Sequence, residues 1–273
     1  MKKLIIVAGP TAVGKTAYAV QLARQLDTEI VSCDSRQFYS EMRIGVARPD
    51  DDELAAAKHH FIACCSVTEP YNIYDYEHDA IQVIETLFRQ HDIVVAVGGS
   101  GLYIDALRAT PARLPSPTAE LRAELQQMPL EEKRSRLRLL DPDYYATVDL
   151  RNPVRLQRAL EVCLTAGRPY STILSEQTPA LRPFDIEMRV LELPAAELRN
   201  RIDRRVDAMM AQGLLDEVRS LLPFRHLNTL NTVGYRELFP VLDGTASLSE
   251  AVAQIKLNTW HYARKQLTWM KKY

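Results

Sequence analysis

Apolar residues fall in two rhythms along the chain, and the change between them divides it. Leu4 to Ala8 is a continuous apolar run, and Ala17 to Gln25 follows with helical periodicity. Glu29 to Cys33 is a second short run ending at Asp34-Ser35, and Ile93 to Val97 is a third, closed by Gly98-Gly99-Ser100-Gly101. Ile81, Ile84, Glu85 and Phe88 recur at three-to-four spacing and predict a helix over Asp79 to Gln90. Short strands apolar on both faces, alternating with helices, predict a parallel sheet covered on both sides. After Leu107 the rhythm changes. Arg113-Leu-Pro-Ser-Pro117 marks a junction, and Thr118 to about Thr178 reads as helix throughout, rich in Leu, Arg and Glu. Ile186 to Leu193 returns as a strand, and Glu197 to Leu222 predicts one long helix. A last helix, Leu248 to Met270, carries apolar positions at Leu248, Val252, Ile255, Tyr262 and Ala263. The pattern predicts an α/β core over 1–112 and 183–273, interrupted by an all-helical insertion over 113–182.

Composition narrows the class without naming it. In 273 residues, 47% apolar and 25% charged is ordinary for a water-soluble globular chain. Lys2-Lys3 and the apolar run after them resemble a leader, but the run enters a glycine-rich loop, which predicts a buried first strand. No stretch approaches the roughly 18 apolar residues of a membrane span, so no membrane partner is expected. Cys33, Cys64, Cys65 and Cys163 show no metal-site spacing, which suits reduced thiols and a cytoplasmic location; a monomer is expected. Net charge is −1, yet Lys256, Arg264, Lys265, Lys271 and Lys272 give the segment from 256 to 273 a charge of +5 and leave −6 for the rest. A basic end on an acidic body suggests one face that meets a polyanion.

Gly9-Pro10-Thr11-Ala12-Val13-Gly14-Lys15-Thr16 matches GxxxxGK[ST] in full, after an apolar strand and opening a helix. The fold expected from it is a P-loop NTPase-like parallel-sheet core. Glycines let successive backbone N–H groups turn toward phosphate oxygens, and the helix N-terminus adds positive potential. Lys15 places a charge on the terminal phosphates, and the Thr16 hydroxyl is the candidate ligand for Mg²⁺. This pattern names a phosphate ligand, ATP among the candidates, but not a reaction. A hydrolase would carry a second apolar strand ending in an acidic residue, and here that strand ends in GGSG. The carboxylate appears instead as Asp34. In a doubly wound sheet the carboxyl ends of neighbouring strands face one crevice. Asp34, Ser100 and the loop should converge there, with Asp34 as a general base or, more blandly, a loop-stabilising residue.

Nine segments, in this order, resemble the tRNA dimethylallyltransferase (tRNA isopentenyltransferase) family: GPTAVGKT (9–16), DSRQFY (34–39), GVARPD (45–50), HHFI (59–62), GGSGLY (98–103), NPVRLQRALEV (152–162), GLLDEV (213–218), GYRE (234–237) and ARKQLTW (263–269). The resemblance implies transfer of a dimethylallyl group from dimethylallyl diphosphate to the exocyclic N6 amine of the adenosine 3′-adjacent to the anticodon, with release of diphosphate. It makes Asp34 the base and places Thr16 on the diphosphate and its Mg²⁺. It assigns tRNA contacts to Asp34, Ser35, Arg36 and Gln37, to Gln157, Arg158, Ala159, Leu160 and Glu161, and to Ser100 and Arg122. The chain departs from the family pattern at Val46, Arg48 and Ser100, and at Ala63-Cys64-Cys65 after HHFI.

An allylic diphosphate ionises once its departing charge is neutralised, so an arginine should join the loop amides, Lys15 and the metal. Arg205, or Arg201 one turn before it, is the candidate. A stacked adenine is out of reach, so the base must be extruded, and Arg151, Arg155 and Arg158 suit a grip on the anticodon arm. Trp260, Tyr262 and Trp269 are expected in the core. Two other readings stand beside this one. One is a nucleotide or small-molecule kinase, which shares the loop and Asp34. The other is a non-catalytic RNA-binding protein that uses a phosphate ligand as a switch.

Overall fold

The structure, a computed structural model, describes residues 2–177 and 181–273; Met1 and Thr178 to Ala180, the end of the expected helical stretch, lie outside the described residues. The chain divides into two units, Met1–Ala109 with Arg182–Tyr273, and Thr110–Leu181.

In the first unit the elements run β1 (Lys3–Ala8), α1 (Lys15–Gln25), β2 (Ile30–Ser32), α2 (Asp51–Ala56), β3 (His59–His60), α3 (Ile73–Leu87), β4 (Ile93–Gly98) and α4 (Gly101–Arg108). The second unit holds α5 (Ala119–Gln127), α6 (Leu130–Leu140), α7 (Pro142–Thr147), α8 (Pro153–Ala166) and α9 (Tyr170–Glu176). The first unit resumes with β5 (Asp185–Val190), α10 (Ala195–Ala211), α11 (Leu214–Ser220), α12 (Phe239–Leu242) and α13 (Leu248–Met270). The five strands form one sheet in the order β3-β2-β4-β1-β5, with every pair parallel. Leu4 to Ala8 and Val94 to Val97 are buried on both faces, as a sheet covered by helices on each side requires. Beneath the sheet, Phe38, Tyr76 and Tyr103 pack ring on ring at centroid distances of 5.1 to 5.4 Å. They hold the segment after Asp34 against α3 and α4.

Several boundaries differ from expectation for local reasons. The helix expected from Asp79 begins at Ile73, because Asn72 accepts the N–H groups of Tyr74 and Asp75 while the Asp75 carboxylate accepts Asn72 N–H. Such a reciprocal cap contributes about 1 kcal/mol. Tyr76, Ala80, Ile84 and Leu87 are its buried residues, and Glu85 faces solvent. The single helix expected over Glu197 to Leu222 is two, since Gly213 sits at φ 97°, where a helix cannot continue. The last helix spans the expected residues, but Leu248 and Tyr262 are exposed, and Ala251, Ile255, Ala263, Gln266 and Met270 are the buried ones. His59–His60 pairs with β2 as an edge strand too short to announce itself by pattern.

In the helical unit, Leu125, Met128, Leu137, Leu156, Ala159 and Leu160 form a core of their own. Its longest helix, α8, is bounded by three local signals. Asn152 accepts Arg155 N–H, Pro153 occupies the first turn, and Gly167 closes the helix at φ 65°. Fully buried Asp141 accepts Tyr144 N–H, Ser171 N–H and the Ser171 hydroxyl, tying α7 to α9.

Candidate active site

β2, β4 and β1 are neighbours in the sheet, so their carboxyl ends lie side by side. They deliver Asp34, Ser100 and the loop from Gly9 to Thr16 to one edge. The loop is wound by two left-handed residues, Ala12 at φ 66° and Gly14 at φ 101°. Lys15 Nζ donates to the Pro10 carbonyl at 2.8 Å. Arg205 on α10 donates to the Thr11 hydroxyl at 3.2 Å, and Arg201, one turn earlier, reaches the Val13 carbonyl at 3.5 Å.

Electrostatics separates the two arginines. Arg201 pairs with Glu197 at 2.8 Å and is half exposed. Arg205 carries no such pair among the described residues; burial lowers its pKa, against the opposing charges of Asp34 and Glu53. Burial likewise pulls Lys15 down to about 8, with Asp34 holding it up and Arg205 pressing it further down. Lys15, Asp34 and Arg205 thus sense one another. Two cations desolvated beside a single carboxylate make a locus short of negative charge, and an anionic ligand relieves it.

The segment after Asp34 is bound internally. Asp34 accepts Arg36 N–H at 3.1 Å, so it does serve the loop, but through one carboxylate oxygen. Ser100 accepts Ser35 N–H at 3.1 Å, and the two hydroxyls are 3.2 Å apart. Arg36 donates to the Thr229 carbonyl, and Gln37 to the carbonyls of Val46 and Ala47. Tyr262, expected in the core, is 41% exposed, with its hydroxyl near Ser100 and facing Asp34; burial first, then the Asp34 charge, push that hydroxyl up to about 12. Its place in this cluster was missed because α13 is remote in sequence. Spacing from Gln266 and Trp269 was the one available signal.

In the helical unit, nearly buried Glu161 is a hub on α8. Its oxygens accept from Arg158 at 3.3 Å and Gln157 at 3.1 Å, and Arg122 lies 4.0 Å away. Gln157 and Arg158 stay partly exposed, and Arg155 is exposed. Ala159 and Leu160 are fully buried in that unit's core, so their side chains pack rather than present a surface. Of the stretch expected to contact tRNA, Gln157 and Arg158 thus reach the surface, while the side chains of Ala159, Leu160 and Glu161 are buried. At the basic C-terminal end, Lys256 pairs with Asp207 and Lys272 with Asp105, which leaves Arg264, Lys265 and Lys271 exposed.

A model of the IPP transferase family matches residues 37–273. The chain belongs to that family. It is 46% identical to a tRNA dimethylallyltransferase of Christiangramia forsetii, over 98% of this chain and 90% of that one. It is also 46% identical to tRNA dimethylallyltransferase 1 of Bacteroides thetaiotaomicron, over 100% of this chain and 89% of that one. Among solved structures, the full-length tRNA isopentenylpyrophosphate transferase of Bacillus halodurans is 31% identical, with a TM-score of 0.72 over 100% of this chain and 88% of that one. A eukaryotic dimethylallyltransferase acting on tRNA is 26% identical, with a TM-score of 0.83 over 99% of this chain and 70% of that one. These relatives bear out the P-loop NTPase-like fold and do not favour the kinase reading.

Two cavities elsewhere take no part in this cluster. One of about 440 Å³ is lined by Glu29, Lys58, His60 and Asp79, and one of about 620 Å³ by Val20, Arg24, Asp52 and Glu53; neither includes Lys15, Asp34 or Arg205. Among the described residues no helix is long and apolar enough to cross a membrane, and no three His, Cys, Asp or Glu side chains group as metal ligands.

Proposed function

We propose that the chain transfers a dimethylallyl group from dimethylallyl diphosphate to the N6 amine of the adenosine beside the anticodon of tRNA. The observation that carries the reading is that Lys15 at the start of α1, Arg205 on α10 and Asp34 after β2 lie close enough to sense one another's charge, in a member of this family. The amides of the loop, the Lys15 ammonium and the Arg205 guanidinium bind the diphosphate and take up charge as the allylic C–O bond breaks. The adenine amine attacks the freed allylic carbon, a C–N bond forms, and Asp34 accepts the amine proton. Ser35 and Ser100 hold the turn beside Asp34 while the extruded base enters.

The Thr16 hydroxyl has no hydrogen-bond partner among the described residues, and no carboxylate cluster stands near the loop. That set would suit Mg²⁺ bound beside the diphosphate, with the Thr16 hydroxyl as the residue that would hold it. Bound there, the ion supplies further charge neutralisation for the leaving group. Arg155 and Arg158, with Arg122 beside Glu161, suit a grip on tRNA phosphates that the helical unit provides.

Incubation with unmodified tRNA and labelled dimethylallyl diphosphate should put label into tRNA and release diphosphate. Label entering tRNA from ATP, or none from the prenyl donor, overturns the reading.

A further inference from the structure

Gln266 is a polar side chain at 6% exposure, just over a turn from the end of α13. Its Oε1 accepts Thr11 N–H and its Nε2 donates to the Gly99 carbonyl, each at 2.8 Å. The two partners fix which end of the amide is which, since one is a donor and the other an acceptor. Thr11 belongs to the phosphate loop, and its hydroxyl receives Arg205. Gly99 precedes Ser100, which binds Ser35 next to Asp34. One carboxamide therefore joins the loop that meets the leaving group to the turn that flanks the base. The helix lies tight against that turn. A Cβ on Gly99 would fall 2.3 Å from Gln266 Nε2, and one on Gly101 2.5 Å from the Trp269 ring.

We infer that Gln266 is a positioning residue for the transfer, holding the phosphate loop and the Ser35–Ser100 turn in the register that brings allylic carbon and amine together. The inference rests on the reaction proposed above. Only an amide serves here, because the bridge must accept at one end and donate at the other. A glutamate offers two acceptors, and a methionine of similar shape offers neither bond. Gln266 touches no reacting atom, and its effect is transmitted through Thr11 to Arg205 and through Gly99 to Ser100. Misplacement by about 1 Å in such a pairing costs on the order of 10²-fold in rate.

The test uses the full chain with Gln266→Glu and Gln266→Met. It measures kcat and KM for dimethylallyl diphosphate at saturating tRNA, the Kd of inorganic pyrophosphate, and Tm. The expected result is a kcat lower by roughly 10- to 100-fold in both variants, with pyrophosphate Kd within about threefold and cooperative melting retained. A folded variant with kcat within about threefold of the parent overturns the inference. So does a kcat loss matched by an equal loss of pyrophosphate affinity, or failure of both variants to fold, since either makes Gln266 merely structural. A parent chain that transfers nothing overturns the proposed reaction and this inference with it. An active parent with an equally active variant overturns the inference alone.

Discussion

The two units hold their arginines in opposite ways. In the α/β unit Arg205 is half-buried, has no ion pair among the described residues, and hydrogen-bonds a loop hydroxyl, with Lys15 turned onto a loop carbonyl close by. In the helical unit Arg158 and Arg122 stay partly in solvent around a buried carboxylate, and Arg155 projects freely. A guanidinium that must meet charge developing on a leaving group gains from a dry, fixed position, because a low local dielectric strengthens the interaction and nothing need reorganise. One that meets RNA phosphates works by releasing counterions and remains exposed to salt. The difference predicts that substitutions in the first unit act on turnover and those in the second on salt-dependent affinity.

The sharpest test is Asp34→Ala. It should leave diphosphate and tRNA affinity near the parent's while lowering kcat by about 10²–10⁴-fold, as loss of a general base does. Single-turnover transfer with both substrates bound reads this directly, and near-normal turnover removes Asp34 from the mechanism. Next comes the contrast within α10. Arg205→Ala should lower kcat by about 10²–10³-fold. Arg201→Ala, which removes a half-exposed residue already paired with Glu197, should cost less than about tenfold. Equal losses in the two variants would erase the distinction drawn from burial. The smallest effect belongs to the helical unit. Replacing Arg155 and Arg158 together by alanine should weaken tRNA binding and flatten the plot of log affinity against log salt by up to about two units. Affinity for dimethylallyl diphosphate should hold, and an unchanged slope would make these arginines a solvated face.

The family markers show how far pattern reaches before packing takes over. GVARPD, GLLDEV and GYRE are separate strings in the chain. In space the Glu217 carboxylate accepts the N–H groups of Arg43, Ile44 and Gly45 and the Tyr235 hydroxyl, so the three strings are one latch. Nothing in their spacing says so, because a carboxylate and its donors can be any distance apart along a chain. The break in the expected Glu197 to Leu222 helix was legible at Gly213, which is a sound stop signal. The start of α3 was legible too, in Asn72 and Asp75, but the apolar rhythm over Ile81 to Phe88 drew the boundary inward.

What the sequence determined by itself is whatever rests on neighbours in the chain. The wound loop from Gly9 to Thr16, the apolar strands, and the limits of α8 and α13 are set by residues within a few positions of one another. Tertiary structure alone decided what depends on burial and on distant partners. It chose Arg205 over Arg201 as the desolvated guanidinium, and it withdrew Ala159 and Leu160 from any surface. It also brought Tyr262 and Gln266 from the last helix to the strand ends. The reason is physical: a side chain's charge state and reach depend on the solvent it loses, and the chain loses that solvent only when remote segments close over it.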